Sequence, residues 1–289
     1  MTDVEHCVVA VVGSLNLDLT AVVAKAPEEG ETVLGRRLET YPGGKGANQA
    51  IGAARIAPTA VVGAVGTDSA ATALRRSQSA AGVDTEYLLT VEVPTGRAIV
   101  VLTDDGDNRI IVIPGANAKV TASDVTAALD TLDPAVVLTQ LELPIAATTA
   151  AVEWARVHRR RLVLNPSPVV ALDDLILADA DPLVVNEREA LFYADASVED
   201  DPDDIATRLL ERVRSAVITR GGRDVVVATE DYVERIAVPR VHVVDTTGAG
   251  DHFAGTLAAR LGIGEDLFAA AHEAARAAAT LVSSRRAER

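Results

Sequence analysis

HCVVAVVG, residues 6–13, is an apolar run that Gly13 closes. Strands covered on both faces have this composition, and such strands are typical of parallel sheets. Five similar runs follow, and helical patterns lie between them, so the sequence predicts βαβ units around a mainly parallel sheet with helices on both faces. The further runs are TAVVGAV (59–65), AVVLTQ (135–140), RLVLNP (161–166), PLVVN (182–186) and SAVITR (215–220). The helical patterns are 47–57, 68–81, 121–132, 144–159 and 202–214.

One region departs from this alternation. RAIVVLTDDGDNRIIVIP, residues 97–114, contains two β-rich runs joined by a turn at Asp105-Gly106, which indicates a hairpin. GETVLGRRLETYP, residues 30–42, also has an extended pattern. We expect a small antiparallel accessory sheet built from about 17–42 and 95–113, which covers an active site or forms a subunit interface. A surface hairpin without function is the alternative.

The composition is that of a folded, acidic protein. The 289 residues are 48% hydrophobic and 24% charged, and the formal net charge is −15. This charge argues against nucleic acid or anionic membrane partners, and no apolar run approaches the roughly 20 residues that span a bilayer. The single cysteine, Cys7, cannot form an internal disulfide, and the N-terminus lacks signal-peptide features, so we expect a cytoplasmic protein.

YPGGKGANQA, residues 41–50, contains Gly-Gly-Lys but does not fit a P-loop. That motif needs a glycine five residues before the Gly-Lys pair and a Ser or Thr after it, whereas Glu39 and Gly46 stand there. Two interpretations stay open. The segment is either a purely structural turn or a turn whose glycines let the backbone approach a small polar ligand, with Lys45 and Asn48 donating hydrogen bonds.

DTTGAGDHFAG, residues 245–255, places Gly248, Ala249, Gly250 and Asp251 at the predicted start of a helix. Backbone amides there can bind an anion such as a phosphoryl group in transfer. Asp251 could then accept the proton of an attacking hydroxyl. On this motif alone, a glycine-rich helix start with an early-turn carboxylate is an equal alternative.

Together, GGKGANQA and DTTGAGD resemble the two signatures of the ribokinase-like (PfkB-type) sugar kinases, in that family's order. The likeness runs from VVGSLNLD, residues 11–18, to the helix near residue 280. The resemblance implies a single catalytic domain over 1–289, with a doubly wound, mainly parallel sheet and a small β lid. In ribokinases such a lid mediates a homodimer.

The resemblance also implies roles on the nucleotide side, with ATP as phosphoryl donor. Asp251 matches the family's catalytic base, and the three residues before it match the anion hole for the γ-phosphate. Asn186 and Glu189, in NERE, match an Asn-x-x-Glu element that organises Mg²⁺, largely through water. Thr219 and Gly221, in ITRGG, match the end of the nucleotide-binding strand.

On the sugar side, the matching residues are most similar to those of ribokinase. A polyol needs several well-placed donors and acceptors, because polar groups left unpaired by the wrong sugar cost discrimination energy. The implied sugar-binding residues are Asn16, Asp18, Gly44, Lys45, Asn48, Glu142 and Asp251.

The C-terminus departs from the family pattern. Asp245 and Thr247 match the first half of a monovalent-cation site, but the chain ends in SSRRAER, and Ala287 and Glu288 stand where the second half is expected. This weakens the case for K⁺ activation, and it leaves the effect of the short tail on nucleotide binding open. His252 also replaces a small hydroxyl residue, and it either alters the pocket or packs within the helix.

The sequence favours three classes of function to different degrees. An ATP-dependent ribokinase leads, and kinases of deoxyribose, a ketose, a sugar acid or a nucleoside are the alternatives within the same mechanism. A non-catalytic sugar-binding or regulatory relative is a second class, although it has no evident need for both Asp251 and the Asn-x-x-Glu element. A Rossmann oxidoreductase is disfavoured, because GSLNLD replaces the glycine fingerprint after the first strand.

Overall fold

A computed structural model describes residues 6–103 and 108–286. Its strands are β1 (Val9–Val12), β2 (Asn16–Val23), β3 (Gly35–Gly43), β4 (Thr59–Val65), β5 (Leu88–Thr90), β6 (Gly96–Thr103), β7 (Asn108–Ile113), β8 (Val136–Thr139), β9 (Arg161–Leu164), β10 (Ala180–Asn186), β11 (Ala216–Thr219), β12 (Asp224–Ala228) and β13 (Val233–Ala237). Its helices are α1 (Lys45–Ala54), α2 (Ser69–Ala80), α3 (Ala122–Leu132), α4 (Ile145–His158), α5 (Asp174–Leu177), α6 (Glu187–Tyr193), α7 (Pro202–Leu209), α8 (Ala249–Gly262) and α9 (Leu267–Val282), and a 3₁₀ helix spans Gly115–Lys119.

The main sheet is doubly wound, as predicted. Its order among the described residues is β13-β12-β11-β10-β9-β8-β1-β4-β5. The strands from β11 to β5 pair in parallel, whereas β12 and β13 add antiparallel pairs at one edge. The chain moves outward from β1 in both directions, so the strand order switches between β1 and β8. Open α/β sheets bind ligands at such a point, beyond the carboxyl ends of the strands.

Each face of the sheet has its own core, which explains the uninterrupted apolar runs. Along β1, Val9 and Val11 join the core that includes α1, α2, α8 and α9. The alternate residues Ala10 and Val12 join the core that includes α3 to α7. Successive side chains of a strand point to opposite faces, so a strand buried on both sides must be apolar at every position.

The accessory sheet is present as a four-stranded sheet in the order β3-β2-β6-β7. The outer pairs, β2 with β3 and β6 with β7, are antiparallel, as expected of hairpins. The central pair differs from the prediction, because β2 and β6 run parallel. These two strands are separated along the chain by β4, α2 and β5, so no tight turn forces them to be antiparallel. The predicted Asp105-Gly106 turn lies outside the described residues.

None of the helices in the described part of the chain is both long and apolar enough to cross a membrane.

Candidate active site

The candidate site lies where β1, β8, β9, β10 and β11 end and where α1 and α8 begin. The loop after β1 and the loop after β8 meet at the switch in strand order. There the Ser14 hydroxyl donates a hydrogen bond to Oε2 of Glu142, and the Lys45 backbone N–H donates to the same oxygen at 3.2 Å. The Glu142 carboxylate therefore links the loop after β8 to both the loop after β1 and the start of α1.

Close backbone contact explains the glycines at the start of α1. Gly44 has φ 93°, in the left-handed region that favours glycine. A Cβ on Gly46 would lie only 2.4 Å from the carbonyl carbon of Gly13. The Ala47 N–H then donates to the Ser14 carbonyl at 3.0 Å. Glycine thus lets the start of α1 rest directly on the loop after β1, and this fixes Lys45 and Asn48 beside the site.

Two amide side chains of α1 hold the Asp251 carboxylate. Asn48 Nδ2 donates to Asp251 Oδ2 at 3.0 Å, and Gln49 Nε2 donates to Asp251 Oδ1 at 3.1 Å. Each carboxylate oxygen keeps further acceptor capacity. The aspartate is therefore oriented by two donors and can still accept a proton from a bound hydroxyl.

Sequence reasoning missed Gln49, which is fully buried. Besides Asp251, its Nε2 donates to Asn165 Oδ1 at 3.0 Å, and its Oε1 accepts from Gln140 Nε2 at 2.6 Å. Asn165 in turn donates to the Val184 carbonyl at 2.9 Å. A second amide directly after Asn48, in a helix whose following residues are all Ala, Gly or Ile, was the available signal, because a buried polar side chain needs partners.

Two of the predicted sugar-binding residues, Asn16 and Asp18, lie on β2 next to the start of α1. Asn16 is buried, and its Oδ1 accepts a hydrogen bond from Asn117 Nδ2 at 2.8 Å. Asn117 also bonds both the N–H and the carbonyl of Leu15, so it anchors the start of β2. Sequence reasoning also missed Asn117, whose hydrogen bond fixes the Asn16 side chain.

Lys45 is the cation of the site. Burial disfavours its charged form, but the carboxylates of Asp251, Glu142 and Glu189 outweigh this and raise the pKa of Lys45. None of the described residues accepts a hydrogen bond from its ammonium group, and the side chain lines the cavity that contains Asp251. A charged lysine is thus available to an anionic or polar ligand.

The start of α8 provides amides at the same cavity. Gly248 precedes the helix with φ 76°, and the Ala249 N–H donates to the Thr246 carbonyl at 3.2 Å. The Gly250 N–H has no backbone acceptor among the described residues. Of the predicted anion-hole residues, Gly250 therefore offers an uncommitted donor, whereas the Ala249 amide is already engaged.

Two adjoining cavities share this helix start. The polar one, of about 190 Å³, brings together most of the predicted phosphate-side residues. The apolar one, of about 280 Å³, is lined by side chains such as Val225, Val238, Phe253 and Val282. The walls common to both cavities are Thr219, Thr246, Ala249 and Gly250. A ligand with an apolar ring and a charged tail could therefore lie across both.

The Asn-x-x-Glu element forms a capping box at the start of α6. Glu189 N–H donates to Asn186 Oδ1 and Asn186 N–H donates to Glu189 Oε2, each at 2.9 Å. Glu189 Oε1 has no donor within the described chain, and both residues line the polar cavity. Mg²⁺ commonly takes one or two carboxylates together with water and phosphate oxygens, so these residues fit the ion. A cage of three or more His, Cys, Asp or Glu side chains is not found among the described residues.

Thr219 and Gly221 lie at the end of β11, as predicted. The Thr219 hydroxyl donates to the Val185 carbonyl at 3.3 Å, and Gly221 lines the apolar cavity. Arg220 between them points elsewhere, because its guanidinium bonds Glu187 at 3.2 Å and Asp224 at 2.7 Å. The strand end therefore contributes a threonine and a glycine to the site, but not this arginine.

Asp245 and Thr247 lie in the loop before α8. The Thr247 N–H donates to Asp245 Oδ1 at 2.8 Å. Ala287 and Glu288, which stand in the sequence where the second half of a cation site is expected, lie outside the described residues. His252 is buried against α1 near Gly52 and is absent from the walls of the Asp251 cavity. His252 also lines a neighbouring cavity together with Asn48, Gly248 and Arg286, so it both packs against α1 and contacts a cavity wall.

Comparison with known proteins agrees with this geometry. Residues 8–289 match the pfkB family of carbohydrate kinases. Ribokinase from Bacillus subtilis (strain 168) is 36% identical over 280 residues, covering 96% of this chain and 93% of its own. Ribokinase from Staphylococcus aureus (strain COL) is 36% identical over 265 residues, covering 89% and 87%. Arabidopsis thaliana ribokinase, solved in complex with ribose and ATP, superimposes with a TM-score of 0.86 at 27% identity, covering 96% and 93%. The chain therefore belongs to the pfkB family of carbohydrate kinases.

Proposed function

We propose that the protein is an ATP-dependent ribokinase, which transfers the γ-phosphoryl group of ATP to a hydroxyl of D-ribose. The observation that carries the kinase reaction is the position of Asp251. Its carboxylate is held by Asn48 and Gln49, and it shares one cavity with Lys45 and the uncommitted amide of Gly250. A carboxylate, a cation and an amide donor thus line the same cavity. Ribose as acceptor rests on the curated ribokinases to which the chain is similar.

In the proposed reaction, the acceptor hydroxyl gives its proton to Asp251 as its oxygen bonds to the γ-phosphorus. The bond between that phosphorus and the β–γ bridging oxygen breaks, and ADP leaves. Phosphoryl transfer depends on positioning and on charge stabilisation. Lys45 and the amides at the start of α8 would stabilise the negative charge on the transferring group. Asp251 would act as general base, a role that contributes about 10²- to 10⁴-fold.

We assign the nucleotide to the two adjoining cavities. The apolar cavity suits a purine ring, and the polar cavity would hold the phosphates near Gly250 and Thr219. Mg²⁺ would be held by Glu189 and Asn186, largely through water, and it would neutralise phosphate charge when bound. Asp245 and Thr247 remain the proposed half-site for a monovalent cation.

The acceptor would contact the predicted set Asn16, Asp18, Gly44, Lys45, Asn48 and Glu142. Asn16 and Asp18 lie on β2, which belongs to the small sheet. The other residues lie at the start of α1 and in the loop after β8. We propose that the small sheet is a lid that closes over the bound sugar. Closure would exclude water, which would otherwise compete with the sugar for the phosphoryl group.

We also propose that the small sheet forms a homodimer interface. On its edge strand β7, the consecutive residues Ile110, Ile111, Val112 and Ile113 are all exposed, and Ile111 is 61% exposed. An open strand edge with apolar side chains favours pairing with another chain. A second copy of the chain would cover these side chains.

A substrate panel tests the proposed function. ADP release from Mg²⁺-ATP is measured with ribose, deoxyribose, fructose, a keto-deoxy sugar acid and several nucleosides, each with and without K⁺. We expect the highest kcat/KM with ribose. Preferential turnover of another acceptor would agree with the proposed mechanism but contradict ribose as the substrate. Ribose binding without ADP formation would reject the kinase reaction.

A further inference from the structure

The C-terminal end of the described chain reaches the proposed acceptor pocket through Arg286. Its Nη2 donates to Asp18 Oδ2 at 2.6 Å and to the Pro42 carbonyl at 3.1 Å. Its guanidinium carbon also lies 4.9 Å from the centre of the Tyr41 ring, within the range of a cation–π contact. The segment after α9 is therefore tied to both β2 and β3.

This contact is largely withdrawn from water. The side chains of Arg286 and Asp18 are 16% and 13% exposed, unlike most ion pairs of the protein. An exposed ion pair contributes little to the free energy of unfolding, whereas a buried charge that loses its partner strongly destabilises the folded state. Asp18 therefore depends on Arg286 more than a surface carboxylate depends on its cation.

The two oxygens of Asp18 have different surroundings. Oδ2 accepts from Arg286, whereas Oδ1 has no donor among the residues that the structure describes. Burial raises the pKa of Asp18, the hydrogen bond and charge of Arg286 oppose that rise, and the charge of Asp251 adds to it. Loss of Arg286 would leave the carboxyl group buried beside Asp251 without a counterion.

We propose that Arg286 is a positioning residue for the acceptor sugar. It fixes the Asp18 carboxylate through Oδ2 and leaves Oδ1 to accept a sugar hydroxyl. It also holds the short tail against the small sheet, so the tail completes the acceptor pocket. This inference rests on the proposed role of Asp18 in sugar binding.

The test compares R286A, R286K, D18N and the double variant D18N/R286A. Ribose affinity is measured by calorimetry without nucleotide, and KM and kcat are measured for ribose and for ATP. For R286A we expect the Kd and KM of ribose to rise about 10- to 100-fold, since a hydrogen bond to a charged group is lost. We expect kcat and the KM of ATP to change less than about threefold. R286K should recover much of the ribose affinity, because lysine restores the positive charge. The recovery should be incomplete, because lysine lacks the planar guanidinium fork.

The double variant separates action through Asp18 from a general effect of the tail. If Arg286 acts through Asp18, R286A has little further effect in the D18N background. Arg276, an exposed arginine of α9 whose Nη1 lies 3.5 Å from Glu273, provides the control R276A, which should match the unmodified protein.

Several outcomes would overturn the inference. Additive losses in the double variant, an equal rise in the KM of ATP, or tighter ribose binding in R286A would each contradict it. If D18N weakens ribose binding but R286A does not, Arg286 has no positioning role and the proposed function stands. If D18N itself leaves ribose affinity unchanged, the sugar-binding role of Asp18 fails, and the inference fails with it.

Discussion

The Asp251 carboxylate accepts hydrogen bonds from two amide side chains, those of Asn48 and Gln49. Gln49 is the centre of this arrangement, since it touches Asp251, Asn165 and Gln140. An unpaired buried polar group costs about 1–3 kcal/mol, so each hydrogen bond of Gln49 matters, and Gln140 Oε1 already lacks a partner among the described residues. The Asp251 carboxylate and the core beneath it therefore depend on one glutamine.

The variant Gln49→Leu tests this dependence. We expect kcat to fall about 10- to 100-fold, because Asp251 loses a donor that orients it. The free energy of unfolding should fall by about 1–3 kcal/mol, because Asn165 and Gln140 lose their partner. Steady-state kinetics and denaturant titration measure the two effects.

Gln78→Leu is the matched control for that variant. Gln78 is also buried, and within the described ranges its side-chain amide donates only to the Ala47 carbonyl, at 3.2 Å. It should leave kcat nearly unchanged. An unchanged kcat in Gln49→Leu, or equal losses in both variants, would show that Gln49 does not orient the base.

The close contact between helices α1 and α8 sets the position of Asn48 and Gln49 relative to Asp251. A Cβ on Gly255 would lie 2.1 Å from the Gln49 carbonyl oxygen and 2.9 Å from the Ala53 nitrogen. Both are backbone atoms, so an added methyl group must push the helices apart. The glycine therefore keeps Asn48 and Gln49 within reach of Asp251.

We predict that Gly255→Ala lowers the free energy of unfolding by about 1–3 kcal/mol, as overpacking does. It should also lower kcat, because the donors on α1 move away from Asp251. Gly35→Ala is the control, since its Cβ would make only an ordinary contact of 3.7 Å with the Val22 carbonyl. Full activity in Gly255→Ala would show that the helix spacing does not govern the base.

The small sheet carries a separate prediction about assembly. Ile111→Glu places a charge on the exposed edge strand, where the proposed dimer would have to bury it. Light scattering should show a dimer for the unmodified protein and a monomer for the variant. A monomer in both cases, or a dimer in both, would contradict an interface at this strand.

Much of this architecture could be predicted from the sequence, and the exceptions have physical reasons. β1, β4 and β8 to β11 are buried on both faces, so each has an apolar run. β5 has only three residues and β13 carries Glu234 and Arg235 at the sheet edge, so neither has that pattern. Asp251 and Lys45 lie in local motifs, but Arg286 meets Asp18 across 268 residues, and no local pattern encodes such a contact.

For the molecule as a whole, net charge is the dominant electrostatic property. A protein of formal charge −15 repels the anionic nucleotide at long range, although Lys45 attracts it locally. Salt screens exposed charges over about 8 Å at physiological ionic strength. As ionic strength rises, the long-range repulsion between protein and nucleotide should therefore weaken before the contacts inside the cavity do.

We predict that the KM of Mg²⁺-ATP falls, roughly two- to fivefold, as ionic strength rises from about 10 to 150 mM. Tetramethylammonium chloride is the salt of choice, because it separates screening from any specific effect of K⁺. A KM that rises with salt would show that local positive charge outweighs the net charge.

The most direct test of the account is ribose-dependent ADP release by Asp251→Asn, measured beside ribose binding by calorimetry. We predict a fall in kcat of about 10²- to 10⁴-fold, as for loss of a general base, with the Kd of ribose changed only a few-fold. This result would identify Asp251 as the base of a sugar kinase. A variant that keeps more than about a tenth of the unmodified kcat would contradict that assignment.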